Sequence, residues 1–458
     1  RRLRIIFGMA EEGGDWSDME HYRQTQQAPV FGFTPDGMFP AIYGEKGFAT
    51  YQLSLPLAGS GVDLTAREGD ILVHAFDESK VLAALLGFNT GSQSSAAMGA
   101  AVLTQNFRQK ALASVGISES EPDGEQSAKL TAKKGSILLE SRADSSSIAG
   151  AAALAAQGQT SFQLAGTVIT NNFSSQAISR MGDNTEATAY DSIGVIADGE
   201  NLIVSAAGAA DISGTGTVGL GASVNTLIME NAVEAAVGEN SQLIAYALAK
   251  GADAGVKTSN RDERRKGVIV HAFSDEEIYM AAAAGSVAGS GTIIATGVAD
   301  TLIIRNLVNA HVGNNTRVSA GLAPGSGVDA DGDGSSDSSD GEGEIAVEAH
   351  DDSYVINFGG ALSAEGSGTA SIGATVVTIS FEKQVSAILD GGDKIVSAEK
   401  SIAVKADSKD TLYLLAATLG VTGGTVGGAI GGNVLLFEDL VQAHLGGRIS
   451  SGGNVDVT

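Results

Sequence analysis

The chain has 458 residues, of which 61 are glycine, 6 proline and none cysteine, with 43% hydrophobic residues, 18% charged residues and a formal net charge of −26. The apolar content excludes a disordered chain, irregular glycine spacing with scarce proline excludes collagen, and the lack of cysteine removes thiol catalysis, thiolate metal sites, iron–sulfur clusters and disulfides. The acidic balance repels phosphate backbones and anionic lipid, so nucleic acid and the bilayer surface are poor partners.

The chain starts Arg1-Arg2-Leu3-Arg4, with no apolar stretch and small-residue cleavage site behind it, so no signal peptide is read and the chain is taken as a processed product or an excerpt. Residues 1–64 hold nine of the 23 aromatic residues, including Trp16, and four of the six prolines. They fit neither repeat motif described below. The expectation is an N-terminal cap or docking segment, because an exposed strand edge invites unwanted pairing.

Residues 65–458 are organised by repeats, starting near 69, 135, 199, 266, 343, 400 and 452. A first motif reads GDILVHA to Ala75, GSILLES to Ser141, NLIVSA to Ala206, GVIVHA to Ala272, GEIAVEA to Ala349 and KSIAVKA to Ala406, and begins again as GGNVDVT at the end. A second motif closes at Gly116, Gly182, Gly238, Gly313, Asp390 and Gly446, giving intervals of 41, 41, 32, 41, 41 and 40 residues. A third marker, Ser95, Ser161, Thr217, Thr292, Thr369 or Thr425, stands twenty-one residues before each closing residue. Insertions collect between blocks, as on one side of a solenoid.

Alternation puts Ile71, Val73 and Ala75 on one side and Leu72 and His74 on the other, the pattern of a strand with one buried face. Glycine costs about 1 kcal/mol inside a helix, so frequent Gly, Val, Ile and Thr favour an all-β solenoid over a helical one. If each block of about 41 residues is two turns of about 20, each repeat supplies two or three stacked coils. The whole then forms a rod of about 18 to 20 coils, on the order of 90 Å long.

The frame of a GSGT-like turn, VNT, EAAVG, a variable loop and a GDIxVxA strand is clearest from Thr215 to Gly238. It resembles the repeats of very large secreted bacterial proteins of the filamentous-adhesin and leukotoxin type (two-partner secretion). The resemblance implies a right-handed parallel β-helix built from about six imperfect repeats. It also implies export by an outer-membrane partner and a place on the bacterial cell surface. The secretion-recognition segment and terminal anchor of such proteins are not recognisable here.

Candidate chemistry is sparse. In the acidic insertion between Gly313 and Ala349, Asp329, Asp331, Asp333, Asp337 and Asp340 follow calcium-loop spacing, with Gly334 at the sharp turn. Position 12 is Asp instead of Glu and no helix pattern flanks the loop, so a solvated acidic loop is the alternative. His74 and His271 occupy one equivalent outward position, and His311 and His444 another, three and two repeats apart; neither pair is expected to form a site. The basic cluster Arg261, Arg264, Arg265 and Lys266 reads as a solvated loop. The uncharged stretch Tyr413 to Phe437 keeps the repeat register, so it reads as core strands and no membrane span is expected.

The functional expectation is a non-catalytic, extracellular, adhesive or structural β-solenoid, a segment of a surface adhesin or filament with no catalytic residues. Calcium is the one cofactor considered. Its partners would be a ligand on a host or neighbouring cell, met by the connections Lys250–Gly267 and Gly321–Gly343 projecting from the stack, and a second copy joined end to end. The alternative is a segment of a leukotoxin-like cytotoxin. A polysaccharide-active β-helix enzyme is the remaining possibility, weakened by the scatter of carboxylates and aromatics.

Overall fold

The computed structural model describes residues 61–117, 127–258, 264–322, 327–330, 334–338 and 341–458, with short strands at 33–34, 37–38, 48–54 and 57–58. Alternating side chains form the expected parallel strands, and no helix occurs among the described residues. The strands Ile71–Val115, Ile137–Met181, Ile193–Val237, Gly267–Val312 and Glu344–Ala398 lie side by side in that order. A sixth layer, Ile402–Thr422 with Val426–Ser451, pairs with the fifth. The chain is a parallel β-solenoid.

Its winding differs from the expectation in one respect. Ile71 pairs with Ile137, Ile137 with Ile193, Ile193 with Val268, Val268 with Ile345, Ile345 with Ile402 and Ile402 with Val455. Each repeat is therefore one coil. At about 4.8 Å per layer the stack is only about 30 Å deep. The 41-residue interval is the length of a strand that runs out and returns along itself. Within one coil Gln109 Nε2 donates to Asp77 O at 2.7 Å, and near the tip Asn89 Nδ2 donates to Met98 O at 2.9 Å. The Ser/Thr marker stands at the midpoint because both arms must be equally long. Each arm of about 20 residues spans roughly 65 Å, so the coils are flat blades, long across the stack axis.

The register also resets the third repeat. Its first motif is Ile193–Ala197, paired with Ile137–Ser141, and not the stretch ending at Ala206, which lies farther along the outgoing arm. Measured from Ala197, the closing Gly238 falls 41 residues on, like its neighbours.

The two arms enclose a banded interior. Next to the base, Val, Ile, Leu and Ala of all layers form one core that includes Ile137, Val195, Val270 and Val347. Farther out, Phe107, Phe173, Leu227, Met229, Ile304 and Phe381 form a second, with Phe107 and Phe173 stacked at 4.7 Å. The third, nearest the tip, is mostly alanine, for example Ala151, Ala153, Ala207 and Ala284. A polar belt lies between the first two, where Gln109, Ser175, Asn231, Asn306 and Lys383 stack in register. A short third strand closes the base of successive coils, as in Ala128–Ala132, Thr185–Ala189, Gln242–Ala245 and Arg317–Ala320.

The corner behind each returning arm explains the closing glycine. A Cβ on Gly182, Gly238 or Gly313 would lie 2.5 to 2.8 Å from backbone of the coil beneath. Just beyond it the chain enters the left-handed region at Asn184, Asn240 and Asn315, with φ of 53°, 56° and 59°. Asparagine tolerates this conformation, and here it also links coils, Asn315 Nδ2 donating to Asn240 Oδ1 at 2.8 Å. Replacing Asn240 with valine is expected to cost about 1–2 kcal/mol, whereas glycine should stay within about 1 kcal/mol of the parent. Urea midpoints of the two variants check this.

Charge is distributed unevenly along the blades. No Asp, Glu, Lys or Arg occurs in residues 81–107, 147–172 or 411–437. The corresponding stretches of the third, fourth and fifth coils hold only Asp211, Asp300 and Glu365, all buried between the arms. The outer faces of the distal half are therefore uncharged, while the acidic residues gather towards the base.

Before the first complete coil, Phe48–Ser54 pairs in parallel with Gln105–Ala111, and Leu57–Ala58 with Ser114–Val115. This lays the end of the N-terminal segment on the returning arm.

Candidate functional site

The most elaborate outer surface lies at the base of the third to fifth coils. Outward positions there carry Ile196 and Ile269, apolar groups that a sheet facing water would leave wet. The connection after the third coil covers them. Val256 packs on Ile196, Ile269 and Ala346, and Leu248 and Thr258 are buried as well. Val256 and Arg265 form an antiparallel bridge, with N–H to O distances of 2.7 and 2.8 Å in the two directions. The described parts of Lys250–Gly267 thus fold back on the sheet instead of projecting, because the apolar patch beneath gives them a surface to bury.

This fold-back brings the basic cluster to the outer face. Arg264 Nη1 donates to Gly255 O at 2.8 Å. Arg265 pairs through Nε with Glu344, and through Nη1 with Glu348 Oε2 at 2.8 Å. Arg265 is thus a largely buried clamp from the covering connection onto the fifth coil and not a solvated side chain, while Arg261 lies outside the described residues. A cleft of about 1000 Å³ opens beside it, lined by Lys257, Arg264, Arg265, Glu342, Glu344 and Lys400 among others.

Beneath Arg265 the register assembles three groups. His271 of the fourth coil faces Glu348 of the fifth, and His350 follows two residues on, on the same outward face. Their ligand-type atoms all lie within 4.8 Å of one another. Glu348 Oε2 is 3.9 Å from His271 Nδ1 and 3.8 Å from His350 Nε2. His271 and Glu348 are buried, and His350 keeps 16% of its side-chain exposure. Asp407 Oδ2 stands 3.7 Å from His350 Nδ1.

The equivalent histidines lie in different coils: His74 sits against Glu140 at 3.3 Å, His311 lies elsewhere with burial holding its pKa below the ordinary value, and His271 is buried beneath the covering connection instead of lying on the open surface. The pairing of His271 with Glu348 and His350 was missed. The signal was present in the 77-residue step between the fourth and fifth first motifs, which sets His271 opposite Glu348.

Of the five carboxylates with calcium-loop spacing, Asp331, Asp333 and Asp340 lie outside the described residues. Asp329 accepts the Gly334 N–H at 2.9 Å and Asp337 accepts the Ala330 N–H at 2.8 Å, so both brace turns of the loop. No helix of the described residues is long and apolar enough to cross a membrane.

No family model and no solved structure matches this chain. Curated proteins do match in part. One from Staphylococcus haemolyticus, named "Putative dipeptidase", is 51% identical over 53 residues, 12% of this chain and 11% of that protein. Proteins of the same description from Staphylococcus saprophyticus and Staphylococcus aureus are 49% and 43% identical over 53 residues, with the same shares covered. The chain spans about a tenth of the length of the curated relatives it matches. These relatives overturn the expectation of a non-catalytic adhesive or fibre segment, and with it the expectation that the protein is not an enzyme. That expectation rested on the solenoid pattern, and a fold does not fix what is grafted onto it.

Proposed function

We propose that the protein acts in peptide processing, with a dipeptidase-related segment joined to a β-solenoid that carries it. The observation behind this reading is the 43–51% identity over 53 residues to proteins named as dipeptidases. We assign the matched stretch to the residues ahead of the coils. It is shorter than the 56- to 77-residue steps between most successive coils, and residues 1–64 are the part of the chain free of repeat motifs and rich in aromatics and proline. A segment of about 50 residues buries a small fraction of its surface and is only marginally stable by itself. Parallel pairing of Phe48–Ser54 with the returning arm of the first coil supplies such a segment with a rigid edge to dock on.

The test uses the purified chain with a panel of dipeptides, with and without added divalent metal, and mass spectrometry to detect released amino acids or saturable binding. Turnover or binding is expected for the whole chain and should vanish when residues 1–60 are deleted while the β-sheet circular dichroism persists. Neither turnover nor binding in the whole chain would end this reading, as would full activity in the deletion.

A further inference from the structure

The geometry points to a divalent transition-metal site of the zinc type at His271, Glu348 and His350, on the outer face of the solenoid beneath Arg265. Two imidazoles and one carboxylate form a donor set that zinc accepts, leaving a fourth position for water. Adjacent coils place two of the three groups directly opposite one another, and the third lies one residue pair along the same face. The ligands thus sit on strands fixed by the ladder and not on mobile loops.

Bond lengths of about 2.0–2.2 Å put tetrahedral ligand atoms roughly 3.3 Å apart. The 3.8 and 3.9 Å separations around Glu348 Oε2 need only small rotamer adjustments to reach that. His350 is already oriented: Nδ1 faces the Asp407 carboxylate, and buried Nε2 has no hydrogen-bond partner and faces Glu348. A carboxylate behind a ligating histidine fixes its tautomer and raises its basicity.

Carboxylates stand on both sides of His350, Glu348 in front and Asp407 behind, while Arg265 pairs with Glu344 and Glu348 and Lys405 with Asp456 at 3.1 Å. The partial exposure of His350 gives the ion a way in.

Zinc is titrated into metal-stripped whole chain by calorimetry, and cobalt is followed by its visible absorption as a probe of tetrahedral nitrogen and oxygen ligation. One ion per chain is expected, with His350→Ala and His271→Ala each weakening binding by about 10- to 100-fold or more. His350→Ala is the cleaner variant because it leaves the Arg265–Glu348 pair intact, and circular dichroism confirms its fold. Asp329→Asn with Asp337→Asn should bind zinc as the parent does. Absence of stoichiometric binding, or binding unchanged by His350→Ala, overturns the site. Because His271, Glu348 and His350 all lie outside residues 1–60, deleting those residues should leave zinc affinity unchanged, which separates this result from the dipeptide assay.

Discussion

Replacing Lys383 with methionine is expected to destabilise the fourth to sixth coils by about 3–5 kcal/mol, the cost of leaving buried carboxylates without their cation. Lys383 lies between the two arms, its side chain fully buried, and pairs through Nζ with Asp351 and Asp410. Nζ also donates to Ser353 Oγ at 3.1 Å and stands 5.0 Å from the centre of the Phe381 ring. Burial alone would lower its pKa, but Asp351 and Asp410 more than offset that and hold the ammonium charged.

Glu276 is in the same interior, where burial and the Asp351 charge push its carboxyl well above the ordinary value. Lys383 therefore serves several acids at once, and methionine would fill its volume while removing its charge. Because each coil contacts only its neighbours, the loss should be local. Hydrogen exchange should accelerate across Ile278–Ala284 and Val355–Ala361 and remain slow in the first two coils, with a lower urea midpoint overall. An unchanged midpoint with unchanged exchange would mean that the carboxylates take up protons at no cost.

Asp300 gives the second large effect, a loss of stability as pH rises. It is fully buried between the arms, and neither carboxylate oxygen has a hydrogen-bond partner. Burial raises its pKa from 3.8 to about 8. Between those values the folded chain holds a proton that the unfolded chain has released, so stability is greatest below the unfolded pKa and falls until the folded pKa is passed. One pKa unit corresponds to about 1.4 kcal/mol, which makes the full penalty at most about 6 kcal/mol. Asp211, raised by burial to about 6, adds a smaller loss of the same sign. Asp300→Asn should flatten this dependence, with little change in melting temperature at about pH 4 and a higher one at about pH 9. Equal melting temperatures for parent and variant at the alkaline end would show that Asp300 reaches solvent when it ionises.

Much of the fold is legible in the residues. Alternation at Ile71, Val73 and Ala75 marks a strand with one buried face, and the regular return of the closing glycine marks layers of equal size. The number of coils per repeat is not legible from spacing alone, because two 20-residue turns and one 41-residue excursion leave the same interval. Pairing of Ile71 with Ile137 decides it. Alternation likewise identifies inward positions without saying which of them are polar. Glu276, Asp300 and Lys383 read as surface residues by type, and their burial follows from which arm faces them.

The His271, Glu348 and His350 group lies at the edge of what sequence can reveal. The repeat interval aligns His271 with Glu348, but the covering connection and the Arg265 clamp arise only when Val256 finds Ile196 and Ile269. The sequence by itself determined an all-β solenoid of repeated layers with small residues at its corners, because those features are set by local alternation and steric need. The tertiary structure alone decided that each layer is a long flat blade and that Arg265, Glu348 and the two histidines share one surface. Those outcomes depend on contacts such as Ile71 with Ile137, 66 positions apart, and Arg265 with Glu348, 83 apart, which no local pattern encodes.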